Sequence, residues 1–121
     1  MDYIHNVYIH KIDKNIDAEY ISYIFHKNNI ADVSKIILET NDDDKSYNRA
    51  FIEIQKWYNT EIAYNFIMRL KDPCREARLV YYQDEWWIVE INEFPYAISK
   101  KYDNYKIVTV FNNIYINTDD I

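Results

Sequence analysis

Glycine is absent from this chain of 121 residues, and cysteine occurs once. Without glycine there is no glycine-rich loop to cradle a phosphate, and any left-handed turn position falls to asparagine or another tolerant residue. The lone Cys74 excludes an internal disulfide and a cysteine-built zinc site, and it fits a reducing compartment. No apolar run reaches the length that crosses a bilayer. The opening "MDYIHNVYIHKID" lacks the basic start and apolar stretch of a signal peptide. The expectation is an intracellular protein, cytoplasmic or nuclear, that is neither secreted nor embedded in a membrane. Positive charge is also scarce. Lys and Arg number 14 against 20 Asp and Glu, a net charge of −6. Indiscriminate phosphate binding needs the opposite field, although a local stacking site does not.

What the chain does have is hydrophobic residues at 49% and aromatics at 17%, including 13 Tyr and 3 Trp. That supports one modest core. Residues 6–12, "NVYIHKI", alternate and predict a strand. Ile21, Ile24 and Phe25 recur at helical spacing within 16–29, with Asp17 placed to cap the start and Asn28-Asn29 to end the helix. Residues 33–40 and 49–57 predict two more strands around the polar loop 41–48. Ile62, Ala63, Phe66, Ile67 and Leu70 form one stripe of a helix over 59–72, capped by Asn59 or Thr60 and stopped by Pro73. Residues 77–92 read as a hairpin turning at Gln83-Asp84, and 105–117 as a second turning at Asn112-Asn113.

The order β-α-β-β-α-β predicts an α+β fold of the ferredoxin-like kind. It has a four-stranded antiparallel sheet with two helices on one face, followed by a C-terminal β extension. The domain is expected over 1–96 and the extension, packed on it or lengthening it, over 97–121. The face without helices is where function is expected.

The residues from about 5 to 93 resemble an RNA recognition motif domain. "VYIHKI" (7–12) is similar to the motif of that family's first strand, with Tyr8 at the place of an exposed aromatic. "YNRAFIEI" (47–54) is similar to the third-strand motif: Ala50, Phe51 and Ile52 match. Tyr47 stands for the usual basic residue, Asn48 for Gly, and Arg49 and Ile54 for aromatics. The resemblance implies that Tyr8 and Phe51 stack successive bases of single-stranded RNA, and that residues after the fourth strand, here Asn92, Phe94 and Tyr96, contact bases.

Pleating supports the same face. With Val7 and Ile9 inward, Tyr8 and His10 point outward; with Ala50, Ile52 and Ile54 inward, so do Arg49, Phe51 and Glu53. Arg49 could stack on a base or bind a phosphate. Trp87 is expected in the core, while Trp86 is either an exposed aromatic or packed under the extension. A second reading stays open: the sheet face serves a protein partner or self-assembly, covered by the C-terminal segment or by another molecule. Asp42, Asp43 and Asp44 read as a solvated acidic loop. His5, His10 and His26 lack metal-ligand spacing, and no nucleophile–base set stands out, so neither an enzyme nor a cofactor is expected.

Overall fold

The structure, a computed structural model, describes residues 4–41, 43–93 and 106–111. Its elements are β1 (Asn6–Asp13), α1 (Ala18–Lys27), β2 (Ala31–Thr40), β3 (Tyr47–Trp57), α2 (Glu61–Lys71), β4 (Ala77–Tyr82), β5 (Glu85–Ile91) and β6 (Lys106–Val110). The six strands form one antiparallel sheet in the order β4-β5-β1-β3-β2-β6.

The sheet is therefore wider than the expected four strands. The 77–92 hairpin contributes both its strands, so β5 pairs with β1 and β4 becomes an edge. At the opposite side β6 lengthens the sheet by pairing with β2, from Lys35↔Val110 to Glu39↔Lys106. The partner strand expected for 105–110 in a second hairpin lies outside the described residues. So does the boundary expected at 96/97.

Both helices pack on one face. Ile21, Ile24 and Phe25 of α1 and Phe66 of α2 share a core with Val7, Ile9, Val33, Ile36, Leu38, Ala50, Ile52, Ile54, Leu79, Trp87 and Val89. Phe25 meets Phe66 edge-on at 6.3 Å. Tyr81 stacks on Trp87 at 4.4 Å. Ile62 is the exception to the expected helical stripe, being 54% exposed. The buried seam runs 63, 66, 67, 70, and residue 62 is rotated about 90° from its centre, at 3.6 residues per turn.

Local chemistry fixes the ends of these elements. The Asp17 carboxylate accepts from the Tyr20 backbone N–H at 2.8 Å. Thr60, rather than Asn59, caps α2: its hydroxyl accepts from Ala63 N–H at 3.0 Å and donates to the Asn29 carbonyl at 2.7 Å. Asn29 and Gln83 take the left-handed positions, with φ of 60° and 43°. The Tyr58 hydroxyl donates to Asp32 and meets His26 Nδ1 at 2.8 Å, tying α1 to the start of β2. The Asn41 side chain, buried, organises the loop after β2. It donates to the His10 carbonyl at 2.8 Å and accepts from the Asp43 N–H at 2.9 Å. No described helix is long and apolar enough to cross a membrane.

Candidate functional site

The sheet face opposite the helices is built from the outward residues of each strand. Register sets them in rows. Ile37 lies opposite Phe51, Phe51 opposite Tyr8, and Tyr8 opposite Glu90. Glu39 lies opposite Arg49 in the next row. On the hairpin, Val80 lies opposite Trp86 and Arg78 opposite Ile88.

Tyr8 and Phe51 meet as expected. Their ring centroids are 5.0 Å apart and their planes differ by 26°. The Tyr8 hydroxyl shares a hydrogen bond of 2.6 Å with His10 Nδ1. Burial pushes the Tyr8 hydroxyl's pKa up, against the opposing pull of the Arg49 guanidinium, which hydrogen-bonds it.

Accessibility corrects the expectation for Phe51. It is only 7% exposed, and its neighbour Ile37 is 8% exposed, although neither belongs to the core beneath the helices. Tyr8 is half-buried. A ring withdrawn from solvent has no free surface on which a base can lie, whatever its orientation. Exposure is higher toward both edges of the sheet: Ile88 is 41%, Trp86 42% and Val80 44% exposed on the hairpin, and Val110 66% on β6. Trp86 thus takes the exposed of its two expected positions, while Trp87 is buried as expected.

Arg49 is also not the free cation that phosphate or base stacking needs. Its Nη2 forms an ion pair with Glu39 Oε1 at 2.9 Å, and the Glu39 side chain is 2% exposed. Other cations of this face also have neighbours. Arg78 pairs with Glu76 at 3.0 Å and lies over the Trp86 ring, 4.6 Å from its centroid. Lys35 approaches Glu53 to 4.0 Å, and Lys11 sits over Tyr47 at 4.2 Å. Three cations of this face, Lys35, Arg49 and Arg78, thus have a carboxylate partner, while Lys11 has a ring.

Asn92 serves the chain's exit: its backbone N–H donates to the Asn6 carbonyl at 3.0 Å. Phe94 and Tyr96 lie outside the described residues. His10 is exposed beside Tyr8. Among the described residues no group of three or more His, Cys, Asp or Glu could hold a metal ion.

Sequence reasoning did not find the Glu39–Arg49 pair. Its signal was a glutamate at an outward position of a β-rich strand, "KIILET", where Ile37 and Glu39 share a face. Comparison with family models, with curated proteins and with solved structures returns no match.

Proposed function

We propose that this chain is a plait of the RNA-recognition-motif type whose outer sheet face serves protein recognition rather than RNA binding. The strand series β5-β1-β3-β2 corresponds to the ferredoxin-like order, with β4 and β6 as additions at the two edges. The observation that carries the functional reading is the exposure of the outer face. The base-stacking pair is withdrawn at Phe51, while Val80, Trp86 and Ile88 stand open on two neighbouring strands. Singly exposed apolar residues are ordinary, but a contiguous set with a tryptophan at its centre favours a partner surface. The electrostatics agree, because phosphate binding draws on unmatched cations, and Lys35, Arg49 and Arg78 of this face each have a carboxylate partner.

A photo-crosslinking side chain placed at Ile88, in the cell that makes the protein, tests this reading. Protease-sensitive, nuclease-resistant adducts at position 88, absent when the crosslinker is placed at Tyr64 on α2, are the expected result. Nuclease-sensitive adducts at position 88 would overturn it in favour of RNA.

A further inference from the structure

The hairpin face is apolar in the middle and acidic at both ends. Val80, Trp86 and Ile88 occupy the middle. Asp84 stands at the turn, and Glu90, outward like Trp86 and Ile88, at the far end of β5, both exposed. No lysine or arginine among the described residues forms an ion pair with either of these two. Arg78 lies within this strip, opposite Ile88 and over the Trp86 ring, and is matched by Glu76.

The edge beside this face is partly closed. The Asn28 side chain donates to the Val80 carbonyl at 3.2 Å, and the Tyr20 hydroxyl to the Tyr81 carbonyl at 3.0 Å. A partner strand added to β4 would compete with those bonds, so the available contact is the face, not the edge.

We propose that this patch binds an amphipathic helix of another protein, with apolar anchors at its centre and lysine or arginine toward both ends. The proposal rests on the protein-recognition reading above and names the partner's chemistry. Charge complementarity selects it, because a carboxylate, Asp84 or Glu90, stands at each end of the apolar strip on a chain of net charge −6. A second copy of this chain fits poorly, since an isologous contact would bring the same acidic ends together. The seven residues of β5 span roughly 20 Å. A helix of about 14 residues covers that length, with anchors at i, i+3 or i+4, and i+7.

The test uses the full chain and two synthetic helical peptides of about that length, sharing leucine anchors and differing in lysine or glutamate at the remaining positions. Titration followed by nuclear magnetic resonance should show saturable shifts at Val80, Trp86 and Ile88 with the lysine peptide and none with the glutamate peptide. Trp86→Ala should weaken that binding at least about tenfold. Asp84→Asn with Glu90→Gln should weaken it several-fold and flatten its salt dependence. Ile62→Ala, on the opposite side, should leave it unchanged. Equal binding of both peptides, binding of neither, or binding indifferent to Trp86→Ala would overturn the proposal. So would a concentration-dependent mass abolished by Trp86→Asp, which would assign the patch to a second copy. These failures leave protein adducts at position 88 intact, whereas nuclease-sensitive adducts there reject the reading beneath it.

Discussion

Arg49 on β3 and Glu39 on β2 stand opposite one another in the sheet and join through a 2.9 Å contact on the face away from the helices. Their side chains are 17% and 2% exposed, so the pair is held largely out of water. Removing one partner of such a pair strands the other charge and costs about 3–5 kcal/mol. Arg49→Met should therefore lower the urea midpoint strongly. Glu39→Gln combined with Arg49→Met should recover much of the loss, because no buried charge remains. Equal loss in the single and double variants would show that the pair does not act as a unit.

Thr60 and Asn59 are adjacent candidates for the cap of α2, and only the Thr60 hydroxyl makes the capping bond described above. Thr60→Ala should cost about 1 kcal/mol, while exposed Asn59→Ala should stay within about 0.5 kcal/mol of the parent. Chemical denaturation of both variants measures the difference.

Trp86 and Trp87 are neighbours in sequence with opposite environments. Trp87→Ala opens a cavity against Tyr81 and Tyr20 and should cost about 3–5 kcal/mol. Trp86→Ala loses its contact with Arg78 and should cost about 1 kcal/mol or less. Comparable losses would contradict the assignment of the two faces.

Tyr8 and Tyr81 both have pKa values raised from the ordinary 10.0, each chiefly by burial, with the Glu85 carboxylate adding to the effect at Tyr81. A raised value means that the folded state holds the proton more tightly than the unfolded one. Their contribution is complete below the ordinary value and is lost as pH rises through the folded one. Stability should fall in that alkaline range, and Tyr8→Phe should make the fall shallower. Denaturant midpoints across the range, with tyrosinate absorbance recorded alongside, test this.

The strands, the helices and the inward residues were legible because each rests on local periodicity. Val7 and Ile9, Ala50 and Ile52, and Ile21, Ile24 and Phe25 repeat at the spacing of their elements and are buried accordingly. Asn29 was legible for a different reason, since in a chain without glycine a left-handed helix exit falls to asparagine. The width of the sheet was not legible. Whether residues 106–110 pair locally or with β2 depends on contacts between distant segments, which alternation does not encode.

The face of Phe51 was readable, but its accessibility was not. Period-two alternation assigns a residue to a side of the sheet and says nothing about what covers that side. The Glu39–Arg49 pair shows the same limit. Arg49 was visible as outward-facing, yet its meeting with Glu39 depends on the β2–β3 register, which shifts near Val33.

Titration of the full chain with mixed-sequence single-stranded RNA at low ionic strength, followed at the Tyr8, Phe51 and Arg49 resonances, tests most directly whether the outer face has given up base stacking. With Phe51 covered and Arg49 engaged by Glu39, the expected result is no saturable change at these three residues. Saturable shifts at Tyr8 and Phe51 that disappear in the Tyr8→Ala, Phe51→Ala double variant would contradict the protein-recognition reading.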